Sequence, residues 1–140
     1  MLTRMKTLRR VPFVAVMLLT ACSLSHGADT QQRIERINAV YRVNEPAPRE
    51  GARNVAPWEQ VEPLCQSRQQ KRGGEIAQQV DTELARIRGS GSGARAAREQ
   101  VQAQGRLRIA EGMLAEWRAC LSEYGWTLVP REARDQTPRS

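Results

Sequence analysis

The chain has 140 residues, with 22 basic and 15 acidic side chains, a formal net charge of +7 and a single histidine. Its length suits one domain with a modest core, and aromatic residues make up only 4% of it, so that core needs additional fastening. A single histidine excludes a His-rich metal centre and leaves little for a Ser-His-Asp triad.

The first element is an export signal. Arg4, Lys6, Arg9 and Arg10 precede a ten-residue apolar run, VPFVAVMLLT, at positions 11 to 20, the order of a cleaved signal peptide. A membrane-spanning helix needs about 20 apolar residues, and Pro12 interrupts this shorter run, so the segment targets and does not span. Leu19-Thr20-Ala21-Cys22 resembles the lipobox of bacterial lipoproteins. The resemblance implies a signal peptide over 1–21, Cys22 as the lipidated first residue of the mature chain, and a tether over 22–30. Ser23, in place of aspartate, implies an outer-membrane anchor facing the periplasm. The competing expectation is ordinary cleavage after Gly27 or Ala28, behind the small pair Ser25 and Gly27, which leaves a soluble periplasmic protein. In either case the four basic residues before Cys22 are lost, leaving 18 against 15 acidic side chains, about +3. A nucleic-acid partner, which wants a concentrated basic face, is therefore not expected.

Next comes a short amphipathic helix over about 31–42, capped by Asp29 or Thr30, with Ile34, Ile37 and Tyr41 on one face. It is expected to dock as a third helix; the alternative is a helix lying on lipid with Arg33, Arg36 and Arg42 toward the headgroups. Residues 44–57 contain Pro46, Pro48, Gly51 and Pro57 and read as an extended connector. Pro57 then introduces a long helix over about 58–88, with Pro63 and Gly73-Gly74 as interruptions. Gly89-Ser90-Gly91-Ser92-Gly93 is a flexible linker over 89–93; it lacks the preceding strand and following Lys-Ser/Thr of a phosphate loop. A second long helix, about 94–124, ends at Gly125, a favourable left-handed cap.

With Cys22 committed to lipid, Cys65 and Cys120 remain in a compartment where disulfides persist. Folding the long helices back about the linker sets residues whose numbers sum to about 185 at one height, and Cys65 and Cys120 satisfy that rule. The same rule opposes Leu84 to Val101, Val80 to Gly105, Ile76 to Ile109, Leu64 to Leu121 and Val61 to Tyr124. Core stripes follow at Ile76, Val80, Leu84 and Ile87 on one helix and at Ile109, Met113, Trp117, Cys120 and Tyr124 on the other. The expected fold is all-α: an antiparallel helical hairpin with a shorter N-terminal helix and one structural disulfide. A redox role is not expected, because neither cysteine sits in a Cys-x-x-Cys spacing or at a helix start.

After the hairpin, Trp126 to Pro130 form a short extended piece that can lay Trp126 and Leu128 beside Trp58 over the disulfide. The functional alternative makes Trp58 and Trp126 an exposed anchor for a partner. Residues 131–140 read as a frayed tail. No catalytic, cofactor or metal constellation is legible: His26 falls in the tether, Glu59 and Glu62 suit a first helical turn, and Glu111 and Glu116 do not share a face. Cys120 to Trp126, a cysteine followed by a Gly-aromatic segment, resembles stretches of small Gram-negative lipoproteins, a likeness that carries no specific activity. Two expectations follow. The first is a non-enzymatic structural or adaptor lipoprotein that binds an envelope protein through the Trp58/Trp126 end. The second is a binding module for an anionic envelope ligand, lipopolysaccharide or peptidoglycan, using Arg86, Arg88, Arg95 and Arg98 around the linker tip.

Overall fold

A computed structural model describes the backbone of residues 14–134 and the side chains of residues 27–132. In chain order the elements are α1 (Val14–Val43), β1 (Asn44–Pro48), α2 (Trp58–Arg86), α3 (Ser92–Glu123), β2 (Trp126–Pro130) and a single turn, α4 (Arg131–Arg134). The fold is helical: α2 and α3 form the expected antiparallel hairpin, α1 packs against α3 as a third helix, and one two-stranded ribbon closes an end.

The register of the hairpin is that of the cysteines. Cys65 and Cys120 are bonded, with Cα atoms 5.6 Å apart. Along the same antiparallel register, a Cβ added at Gly105 would lie 2.6 Å from Val80 Cγ1, and one added at Gly73 would lie 2.9 Å from Met113 Sδ. Glycine thus lets two helices short of large side chains approach closely and still fill the space between them. Gly73-Gly74 does not break α2, and neither does Pro63. Pro63 lies near the helix start, where Val61 N–H already reaches back to Pro57 O at 3.2 Å.

Val61, Cys65, Trp117, Cys120 and Leu121 form the core cluster, with Tyr41, Ala56, Trp58, Tyr124, Trp126 and Leu128 packed around it. Ile76, Val80, Leu107 and Leu114 continue the buried seam. Three expectations about faces change. Leu64, set against Leu121, is 42% exposed while Leu121 is fully buried. Leu84, Ile87, Ile109 and Met113 are only half-buried. Burial on α3 instead includes Leu107, Leu114 and Leu121, a second stripe at spacings of seven; two helices pack on α3, so a single core-facing stripe does not suffice.

Boundaries also differ. Helix α1 reaches back through 27–30, expected to be part of a tether, and takes Gly27 and the expected caps Asp29 and Thr30 into its interior. The linker keeps its five residues but shifts upstream to 87–91, turning at Gly89 with a φ of +90°, because α2 ends at Arg86 and α3 starts at Ser92. Residues 131–134 form α4 rather than the start of a tail. The signal segment before Val14 and the end of the tail, 135–140, lie outside the described residues, as does the Cys22 side chain on which lipidation turns.

The ribbon is the element that the connector reading of 44–57 did not contain. It pairs Asn44 with Pro130, Pro46 with Leu128 and Pro48 with Trp126, antiparallel. Pro46, Pro48 and Pro130 all fall in one alternating set of pairs, while the next pair of the other set is bonded through Arg49 N–H to Gly125 O at 2.7 Å. The prolines therefore occupy positions whose missing N–H the ladder does not use. At the junction of α3 and β2, Gly125 has a φ of +81°, and a Cβ there would lie 2.9 Å from Asn54 O. Both backbone angle and space require glycine at that turn.

Candidate functional site

The bundle has two chemically distinct ends. One is the stapled end, where the disulfide, the ribbon and the 49–57 loop meet. Trp126 is an internal strut there: its indole N–H donates to Ala56 O at 2.9 Å, and its ring lies 4.9 Å from that of Trp58. Trp58 in turn meets Trp117 edge to face at 6.3 Å. The structure brings the two tryptophans of the expected partner surface together, packed against the core around the disulfide.

What this end offers to solvent is mixed, with Val43, Val55 and Leu64 exposed near a polar cleft. Arg49, Arg118, Ser122 and Thr127 line a shallow cleft of about 290 Å³ whose apolar floor includes Trp126 and Leu128. Arg49 Nη1 donates to Ser122 Oγ at 3.4 Å, which draws that guanidinium over the cleft. Arg118 lies close enough to Tyr41 for its charge to act on the phenol. Burial pushes the Tyr41 hydroxyl upward, opposed by its hydrogen bond from Gln69 Nε2 at 2.8 Å and by the Arg118 charge. This cleft is not legible in the sequence, because Arg49 and Arg118 are far apart in the chain and meet only through the ribbon. No local spacing signals such a juxtaposition.

On the α2–α3 side, Arg68 bridges two acidic residues of α3. Its Nε donates to Glu116 Oε1 at 2.8 Å and its Nη1 to Glu123 Oε2 at 2.6 Å. These bonds hold the Glu123 carboxyl below the usual carboxylate range and raise the already high Arg68 value. The group is an exposed clasp between α2 and α3, positioned to secure the stapled end.

The other end is the hairpin tip. Arg86, Arg88 and Arg95 are exposed there. Arg98, grouped with them from the sequence, serves the turn instead. Its Nη2 donates to Ile87 O at 3.2 Å and to Gly89 O at 2.7 Å, the C-cap carbonyl just past α2 and a carbonyl of the turn, and so closes the turn. The tip patch thus contains three arginines held out by a turn that the fourth braces. From Leu84 to Arg98 the sequence has no acidic residue.

Helix α1 connects the ends. Arg33 Nη2 donates to Glu111 Oε1 at 2.7 Å, and farther along Tyr41 meets Gln69 and the stapled core. Successive α1 residues advance with α3, so α1 is parallel to it and its N-terminal part points toward the hairpin tip. Arg33, an expected headgroup contact in the alternative lipid-lying reading, is engaged by Glu111. Among the described residues no helix is long and apolar enough to cross a membrane, and no cluster of three or more His, Cys, Asp or Glu side chains is placed to hold a metal ion. Comparison with protein-family models, curated proteins and solved structures returns no match.

Proposed function

We propose that the chain is a lipid-anchored envelope protein that works without catalysis, as an adaptor: a rigid three-helix post whose stapled end receives a partner protein. The observation that carries this reading is the construction of that end. A buried disulfide, two tryptophans packed on a third, Trp58, and the proline-rich ribbon immobilise a small surface far from the N-terminal side of α1. Such preorganisation reduces the ordering cost of association. The cleft with Arg49 and Arg118 above an apolar floor suits a segment of the partner that presents a carboxylate beside an apolar side chain. The anchor is Cys22, on the strength of the Leu19-Thr20-Ala21-Cys22 pattern. No nucleic acid and no cofactor enter this reading.

Site-specific photo-crosslinking in the native envelope tests it. A probe at Thr127, on the cleft, should capture one discrete protein, and Arg118→Glu should abolish the adduct while leaving the fold intact by circular dichroism. Capture of glycan or lipopolysaccharide at Arg95, with no protein adduct at Thr127, would replace the adaptor with the anion-binding module. Salt distinguishes the two further, since polyanion binding by the tip should collapse as ionic strength rises.

A further inference from the structure

We infer that the hairpin tip is a membrane-contact surface: Arg86, Arg88 and Arg95 rest among the phosphate-bearing headgroups of the bilayer that holds the chain, and set the post upright with its stapled end outward. The inference rests on the lipid-anchored reading above and adds to it a surface, a ligand chemistry and an orientation.

Chain direction selects the tip. Because α1 is parallel to α3, the chain upstream of Arg33 runs toward the tip and away from the ribbon. An anchor at the N-terminal side of α1 therefore brings the tip, and not the cleft, to the membrane. Helix length sets the depth. The α1 backbone is helical back to Val14. With a rise of about 1.5 Å per residue, Cys22 lies about 17 Å before Arg33, and Ser92 lies about 29 Å before the Glu111 that Arg33 contacts. The tip consequently projects roughly 12 Å past the anchoring position, enough to enter a headgroup region that adds about 5–8 Å on each side of the hydrocarbon core. A modest tilt of the post accommodates the remainder.

Side-chain chemistry names the ligand. The tip exposes three arginines with no acidic residue from Leu84 to Arg98, and the nearest acidic side chain on α2, Glu83, is bonded to Arg108 at 2.9 Å. On α3 the nearest is Glu99, one turn down the helix from Arg95. Guanidinium groups are suited to phosphate oxygens, which they bind bidentately. Between the arginines are only Ile87, Ala94 and the Gly/Ser turn, so no bulky side chain holds them off a surface. Arg98 keeps the turn closed from within, leaving its three neighbours to face outward. The stapled end, in contrast, shows a mixed surface in which Arg68 is matched by Glu116 and Glu123.

Vesicle reconstitution tests the orientation and the anchor separately. The lipidated full chain is placed in phosphatidylglycerol/phosphatidylethanolamine vesicles carrying a headgroup-located quencher, with a fluorophore attached in either Ser90→Cys or Glu50→Cys. Co-flotation with the vesicles reports anchoring. In the floating chain the label at position 90 should be quenched severalfold more than that at 50, and Arg86→Gln/Arg88→Gln/Arg95→Gln should abolish the difference without loss of flotation. Equal quenching at 90 and 50 in a floating chain overturns the inference and leaves the anchor standing. A chain that does not float overturns the anchored reading itself. Without the lipid, the Cys22→Ser chain should bind these vesicles on the order of a hundredfold more tightly than the same chain carrying the triple substitution; equal binding, or equal binding to phosphatidylcholine vesicles, also overturns the inference.

Discussion

Gly74 and Gly105 both lie inside long helices, yet their surroundings make opposite demands. A methyl at Gly74 meets nothing within 4 Å, so Gly74→Ala should stabilise by about 0.5–1 kcal/mol through helix propensity alone. A methyl at Gly105 would strike Val80, whose branched side chain cannot swing aside, and Gly105→Ala should destabilise by about 1–2 kcal/mol despite the same gain in propensity. Urea midpoints of the two variants check the pair, and Val80→Ala should relieve the second. Glu123 supplies a pH-dependent counterpart. Its native pKa is depressed by Arg68, so its stabilising contribution is present above the ordinary carboxylate value and is lost as pH falls through the lower native value. The melting-temperature difference between the wild type and Glu123→Gln should persist at neutral pH and vanish in acid; a difference that grows below about pH 4 contradicts the clasp. Individual residues are legible where geometry is local, as at Gly125. Leu64 is not, because the Cys65–Cys120 register gives height along the hairpin and leaves the azimuth of each neighbour open.

Helices α2 and α3 depend on the bond between them. Closing a loop with a sequence separation of 55 removes unfolded-state entropy worth roughly 4 kcal/mol in the chain-entropy model, comparable with the whole stability of a small domain. Thermal unfolding with and without a reductant should show that loss, and Cys65→Ala/Cys120→Ala should reproduce it; an unchanged melting temperature would mean that the glycine-packed seam suffices. The ribbon should be nearly as important locally. Trp126→Ala removes the bond to Ala56 and the packing on Trp58, with an expected cost of about 2–3 kcal/mol in urea denaturation, below the range for a fully buried tryptophan. The hairpin can be read from the chain because two cysteines and two apolar periodicities agree on one register. The ribbon cannot: Asn-Glu-Pro-Ala-Pro has the composition of a linker, and its strand partner lies at the far end of the chain, so no periodic or turn signal joins them. The upstream extent of α1 is hidden for another reason: Gly27, Asp29 and Thr30 read as boundary residues, yet the helix runs through them.

As a whole, the molecule is polarised. Its basic tip and the incoming chain share one end; its disulfide, aromatic lid and Arg49/Arg118 cleft share the other. Neither surface follows from composition, since the basic side chains are divided between clasp, cap and surface roles. The proposed orientation depends on one covalent modification, the proposed lipidation of Cys22. Intact-mass spectrometry of the mature chain extracted from its native envelope tests that proposal most directly. The expected species is a chain beginning at Cys22 and carrying acyl groups, with Cys65 and Cys120 oxidised to one another. An unmodified chain beginning at Ala28 or Asp29 would contradict it and leave a soluble periplasmic bundle.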